Sequence, residues 1–169
     1  DLAELGLARI PRRIECYDVS TLGGTLAVAS RVAFEAGQPD KDGYRRYRVR
    51  EAVAGDDFAC LREVLGRRLA KIESDPLPDL LIVDGGKGQL GVAVAALHDA
   101  GVALDAIGLS KERAHEEGAA KRVRRSGGLK AEQVHLPQRK DPLLLPPRSE
   151  GLQLLQRIRD EAHRFAIEY

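Results

Sequence analysis

Residues 79–84 constrain the fold of this chain more than any other segment. Between Asp79 and Asp84 the residues are all apolar: Leu80, Leu81 and Ile82, followed by Val83. A strand with one face in solvent would instead show a polar residue at every second position. A wholly apolar strand is typical of the centre of a sheet that is covered on both faces. We therefore expect helices on both sides of this strand.

The segments before this strand predict a short antiparallel meander and one helix. Residues 14–20, 27–36 and 44–50 are rich in strand-forming residues and are separated by glycine and proline. Apolar residues then recur at helical spacing, in a run that Asp56 or Asp57 opens as the N-cap and Pro76 ends.

In the segments after the apolar strand, predicted helices alternate with a predicted strand. A helix is predicted around residues 90–97, a short strand at 106–110, and a final helix from Ser149 onward. The polar, basic segment 112–133 shows no period and predicts a mobile loop. The order βββ-α-β-α-β-α predicts an α/β fold whose mixed five-stranded sheet has helices on its faces.

Composition limits the class of protein. A chain of 169 residues suits a single domain, after a lead-in of residues 1–12. The net charge of +1 requires any nucleic-acid surface to be a local patch. The isolated Cys16 and Cys60 argue against a zinc site or a disulfide and favour a reducing, cytoplasmic compartment. No apolar run approaches the ~20 residues that span a bilayer, and we expect no membrane partner.

Two aspartates end predicted strands, and a histidine lies far downstream. Asp18 follows the apolar residues of the first strand, and Asp84 follows the central one. Each could be an ordinary turn aspartate that binds its own loop. Together, at neighbouring strand ends, they would suit Mg²⁺ or Mn²⁺. His163, one position from the apolar face of the final helix, is either a surface residue or a metal ligand or proton carrier.

Basic residues provide candidate contacts to phosphate. Lys87 follows Gly85 and Gly86, but Gly88 stands where a phosphate-binding loop needs a hydroxyl, so nucleoside triphosphate hydrolysis is not expected. The strand 44–50 is either a charged edge strand or a phosphate-binding face. The loop 121–125 is either a solvated segment or a backbone-binding one. The residues we single out in these two segments are Arg45, Arg46, Arg48, Lys121, Arg122, Arg124 and Arg125.

Five segments of the chain match one known family in order and with suitable spacing. They are 14–20 (IECYDVS), 44–47 (YRRY), 55–58 (GDDF), 84–89 (DGGKGQ) and 158–163 (IRDEAH). Together they resemble the C-terminal endonuclease domain of UvrC, the incision subunit of bacterial nucleotide excision repair. The resemblance runs from about residue 12 to the end of the chain.

The resemblance implies an RNase H-like fold and a metal-dependent endonuclease that makes the 5′ incision beside a lesion in damaged double-stranded DNA. It implies the catalytic set Asp18, Asp84 and His163, with Asp57 as an auxiliary residue. It also implies UvrA and UvrB as partners of the full-length protein. Two alternatives stay open: a non-catalytic DNA-binding or scaffold module of this shape, or another RNase H-like nuclease of the resolvase or transposase type.

Overall fold

The computed structural model describes residues 5–22, 24–111 and 132–168. Within them lie seven strands, three α-helices and a 3₁₀ turn at Lys41–Gly43. The strands are β1 (Arg13–Leu22), β2 (Leu26–Glu35), β3 (Gln38–Pro39), β4 (Arg45–Arg48), β5 (Leu80–Asp84), β6 (Asp105–Lys111) and β7 (Glu132–His135). The helices are α1 (Asp57–Leu69), α2 (Lys87–Asp99) and α3 (Glu150–Ile167).

The strands form one mixed sheet in the order β3-β2-β1-β5-β6-β7, and β4 pairs with β2. β1 pairs with β2 in antiparallel register and with β5 in parallel register. β5 and β6 are also parallel, whereas β6 and β7 are antiparallel. The apolar run of β5 is therefore central in the sheet, as the sequence predicts, and its first four residues are buried.

Helices cover both faces of the sheet. Leu152, Leu155, Ile158 and Ala162 of α3 pack on the face that carries Cys16. The apolar residues of α1 and α2 pack on the opposite face. Because side chains alternate along a strand, the even-numbered residues of β1 and β5 point toward α3.

The fold class predicted from the sequence is confirmed, but the sheet is larger than the five strands expected. β3 has only two residues and β7 only four, so neither produces a clear pattern in the sequence. Glu132 and Gln133, expected in a loop, begin β7. The rest of the expected mobile loop lies outside the described residues, and with it Lys121, Arg122, Arg124 and Arg125.

Two helix starts match local signals in the sequence. The carboxylate of Asp56 accepts a hydrogen bond from the Ala59 amide at 3.0 Å, so Asp56 is the N-cap of α1 and Asp57 is not. The hydroxyl of Ser149 accepts from the Leu152 amide and caps α3. These local contacts fix where both helices begin.

A buried charge network ties α1 to the sheet. Both oxygens of Glu15 accept hydrogen bonds from the Arg68 guanidinium at 2.9 Å. The same carboxylate accepts from the Tyr17 hydroxyl at 2.7 Å and lies 3.3 Å from Arg31. Asp75 completes the network at 2.7 Å from Arg31.

Among the described residues, none of the helices has the length and apolar character that crossing a bilayer requires.

Candidate active site

The parallel pairing of β1 with β5 places the two candidate aspartates side by side. Tyr17 is opposite Val83 in this register, and Asp18 and Asp84 are the next residues on each strand. Both side chains point toward the face that α3 covers. Asp84 ends β5 as expected, whereas β1 continues past Asp18 to Leu22 in its pairing with β2. Asp18 therefore lies within its strand, at the point where the parallel pairing with β5 stops.

The C-terminal half of α3 brings the third candidate to the same edge. Ligand atoms of Asp18, Asp84 and His163 all lie within 4.8 Å of one another. Nδ1 of His163 is 3.4 Å from Oδ2 of Asp18. The His163 side chain is 66% exposed, so the imidazole forms the solvent side of the cluster, above the more buried carboxylates.

The turn after β5 contacts β6, the neighbouring strand in the sheet. The Gly85 amide donates a hydrogen bond of 2.8 Å to the Leu109 carbonyl. A Cβ on Gly108 would lie 2.8 Å from the Gly85 carbonyl oxygen. Glycine at position 108 therefore allows the turn to approach the sheet, and this contact fixes the direction in which Asp84 leaves its strand.

Burial and mutual repulsion act on the two carboxyl groups. Burial, followed by the charge of Asp84, raises the pKa of Asp18 from 3.8 to about 6, although contact with His163 acts in the opposite sense. Burial also raises the pKa of Asp84, against a smaller lowering by the charge of Arg159. Like charges that share a partly buried site favour binding of a cation, because it neutralises both.

The donor set fits a divalent cation. Carboxylate oxygens are the ligands that Mg²⁺ and Mn²⁺ prefer, and imidazole nitrogen suits Mn²⁺ better than Mg²⁺. Asp18 and Asp84 would hold such an ion from the sheet, and His163 would hold it from α3.

Asp57 is at the margin of this site. It is the first residue of α1, and its side chain is exposed. Its charge is one of the causes that raise the pKa of Asp18, but it is not in the cluster of possible ligands. Since Asp56 provides the helix cap, that role no longer accounts for Asp57.

The basic residues of β4 have different settings. The Arg46 guanidinium lies 3.9 Å from the centre of the Phe165 ring and donates to the Phe165 carbonyl at 3.0 Å. The Arg45 guanidinium donates to backbone carbonyls nearby, and the Arg48 side chain is exposed. Lys87 is exposed at the start of α2. Lys121, Arg122, Arg124 and Arg125 lie outside the described residues.

No sequence pattern selects His135, yet it lies beside the turn after β5. Nε2 of this buried histidine is 2.7 Å from the Ser110 hydroxyl, and a Cβ on Gly86 would lie 3.8 Å from it. Burial and the charge of Lys87 lower its pKa, which favours the neutral imidazole. A lone histidine before an apolar residue carries no pattern that could have identified this packing.

Comparison with known proteins identifies a family. The model of the UvrC RNase H endonuclease domain matches residues 3–167. A protein named UvrABC system protein C from Geobacter metallireducens is 48% identical over 98% of the chain, which covers 26% of that relative. The protein of the same name from Gloeobacter violaceus is also 48% identical, over the whole chain and 26% of its own length. The chain thus spans about a quarter of the relatives it matches.

The solved structures that it resembles share its fold at low sequence identity. Endonuclease V of Ciona intestinalis, in complex with a 24mer DNA containing an inosine followed by a ribo-adenosine, has a TM-score of 0.51 and 16% identity. A D234N form of that enzyme with a 23mer DNA has a TM-score of 0.52 and 15% identity. Each match covers 82% of this chain and 71% of the other. On the family match and the similarity over its whole length, this chain belongs to the UvrC RNase H endonuclease domain family.

Proposed function

We propose that this chain is a metal-dependent DNA endonuclease domain that makes the 5′ incision beside a lesion in nucleotide excision repair. The observation that carries the proposal is the convergence of Asp18, Asp84 and His163 within 4.8 Å at one edge of the sheet. The family match supports the endonuclease activity.

Each residue has a distinct part in the proposed reaction. Asp18 and Asp84 bind the cation through carboxylate oxygens that the strands β1 and β5 hold in place. A divalent cation, when bound, supplies Lewis-acid polarisation of the scissile phosphate and of water. His163, which is exposed to solvent, completes the metal site or transfers a proton at a ring nitrogen. Asp57 adds negative charge at the margin of the proposed metal site.

The cation is Mg²⁺ or Mn²⁺ in this proposal. The two carboxylates suit both ions, and the imidazole favours Mn²⁺ because nitrogen is the softer donor.

Damaged double-stranded DNA is the proposed substrate. α2 begins directly after the turn that follows β5, and the positive end of its dipole attracts phosphate there. Lys87, Arg45, Arg48 and the basic segment 121–125 are proposed to contact the backbone. Arg46 would have to do so while its guanidinium stays against Phe165. Reversing the charges of segment 121–125 should weaken DNA binding and flatten its dependence on salt.

The remaining proposals concern the whole protein. The relatives are named as parts of a UvrABC system, which supports UvrA and UvrB as partners that select the site of incision. Cys16 and Cys60 are free and buried, in keeping with a reducing, cytoplasmic location. We also propose that the 169 residues act as one domain.

Two other functions are less well supported. A scaffold module would have no need for two partly buried carboxylates beside each other, because burial without a counter-ion is costly. Resolvases and transposases of this fold usually carry only carboxylates at the site, whereas His163 is a nitrogen donor.

The test is nicking of end-labelled lesion DNA with purified partner proteins, in Mg²⁺, Mn²⁺ or chelator. We expect a 5′ nick that requires a divalent ion. Asp84→Asn should reduce the nicking rate by more than about 100-fold, since even residues that only orient metal ligands cost about 10- to 100-fold. Asp141→Asn, at an exposed carboxylate before α3, is the control. Wild-type nicking in chelator, or by Asp84→Asn, would refute the proposal.

A further inference from the structure

Phe58 is an exposed aromatic residue in a chain with few aromatic residues. Its side chain is 49% exposed, whereas the other described phenylalanine and tyrosine side chains are buried or half-buried. It lies in the first turn of α1, directly after Asp57. Half of a large apolar ring is thus left in water at the start of this helix.

The ring lies close to the candidate active site. A Cβ on Gly88 would lie 2.6 Å from Cζ of Phe58, so the ring covers the first turn of α2. That turn follows Asp84 by a few residues, and the neighbouring Asp57 is near enough to Asp18 for its charge to act there. Phe58 is therefore at the edge of the sheet where the three possible ligands meet.

The surroundings suit a nucleic-acid strand. The N-cap of α2 is Gly86, which has no side-chain cap, and the first turn of α2 has no acidic residue. Lys87 adds a positive charge beside Gly88. Proteins that bind single strands combine groups that attract the phosphate backbone with aromatic rings on which bases stack. The exposed ring of Phe58, next to the positive charge of Lys87 and the uncapped start of α2, provides this combination.

We propose that Phe58 stacks on an unpaired nucleobase of the DNA strand that passes over the site, next to the phosphodiester to be cut. The inference rests on the proposed function and adds a base-binding position to it. Packing against Gly88 uses part of the ring, and the exposed part is left for the base. In this role Phe58 positions the strand relative to Asp18 and Asp84.

The absence of tryptophan from the chain allows a direct test. Phe58→Trp introduces a single tryptophan, whose ring can still stack. Ile10→Trp is the matched control, since Ile10 is 79% exposed and precedes β1, at the opposite edge of the sheet. Each variant is titrated, in chelator, with a short single-stranded DNA oligonucleotide and with an abasic oligonucleotide of the same length, which keeps the phosphates but has no bases.

We expect the base-bearing oligonucleotide to quench the tryptophan at position 58 strongly, and the abasic one to have little effect. The tryptophan at position 10 should respond to neither. Phe58→Leu, which keeps an apolar side chain but has no ring to stack, should weaken binding of the base-bearing oligonucleotide by about 5-fold or more and leave binding of the abasic one unchanged. A melting curve checks that each variant is folded.

The inference would be overturned if the two oligonucleotides quenched the tryptophan at position 58 equally or not at all. It would also be overturned if Phe58→Leu lost the same affinity for both oligonucleotides. These readouts do not depend on cleavage. Loss of the stacking signal with intact metal-dependent nicking would refute the role of Phe58 alone, whereas nicking in chelator would refute the proposed function.

Discussion

The surroundings of Asp18 disfavour the ionised form of its carboxyl group. It is 9% exposed and lies beside Asp84, and these two causes raise its pKa to about 6. A carboxyl group in such a place destabilises the ionised, metal-free fold. Residues held at a cost to stability are common at functional sites. The cost itself can be measured.

Asp18→Asn should stabilise the metal-free protein at neutral pH. Because the folded pKa is above the ordinary 3.8, the contribution of Asp18 to stability is full at low pH and is lost as the pH rises through about 6. The shift corresponds to at most about 3 kcal/mol. Asparagine does not ionise and should recover part of this free energy.

The measurement is denaturant unfolding in chelator, on both sides of pH about 6. The gain should vanish at low pH, and Asp141→Asn should show no comparable change. Added Mn²⁺ should stabilise the wild type and not Asp18→Asn, because only a cation site that binds in the folded state raises the free energy of unfolding. An Asn variant less stable than the wild type at neutral pH would contradict the prediction.

His163→Ala should lose metal affinity and keep the fold. The side chain is exposed, so metal-free stability should change by less than about 0.5 kcal/mol. Mn²⁺ affinity, measured by calorimetry, should fall by about 10-fold or more, and Mg²⁺ affinity by less, because nitrogen is the softer ligand. His98→Ala, at an exposed histidine of α2, should leave both affinities unchanged. Equal Mn²⁺ affinity in His163→Ala and wild type would exclude His163 as a ligand.

At the scale of elements, α3 is the part that completes the site. Its apolar face holds it on the sheet, and Arg159 of this helix is nearly buried against Glu132 of β7 at 2.7 Å. Tyr44 and Arg46 of the β4 region hold its C-terminal end through Phe165 and Glu161. The position of His163 therefore depends on contacts of α3 with β7 on one side of the sheet and with the β4 region on the other.

Glu132→Gln should destabilise the protein and loosen α3. Removing one partner of a buried ion pair leaves the other charge uncompensated, at a cost of about 3 kcal/mol. The double variant Glu132→Gln/Arg159→Gln should cost less than the sum of the single changes. The measurement is a double-mutant cycle from denaturant unfolding. Strict additivity would mean that the pair does not hold α3.

On the scale of the whole molecule, two systems on opposite faces hold the sheet together. Both faces have an apolar cluster, and the face covered by α1 and α2 also contains the buried network of Glu15, Arg31 and Arg68. Glu15 is 1% exposed and belongs to β1, the strand that carries Asp18. The network links β1, β2 and α1, so its loss should affect global stability rather than one edge.

Glu15→Gln should lower the free energy of unfolding by about 3–5 kcal/mol, because Arg68 would be left buried without its carboxylate. Asp75→Asn, at a more exposed partner of the same arginines, should cost less. Chemical denaturation of the three proteins is the measurement. If the free energy of unfolding falls equally in the two variants, Glu15 contributes no more to stability than Asp75 does.

Local patterns in the sequence determined much of this structure. The apolar run of β5, the caps Asp56 and Ser149, and the spacing on α3 are set by neighbours in the chain, so the fold class and the main elements could be predicted. The same residues predicted that Asp18 and Asp84 would meet, and the parallel pairing of β1 with β5 brings them together although β1 itself continues to Leu22.

Only the tertiary structure decided the contacts between distant elements. The strand pattern of 44–50 identified Arg46 as a candidate for phosphate, whereas its contact with Phe165 results from the docking of α3, which the pattern does not contain. The position of Phe58 over Gly88 likewise depends on how α1 and α2 pack. Periodicity shows which face of an element is apolar, whereas the partner of a side chain is set by packing between elements, which no local pattern contains.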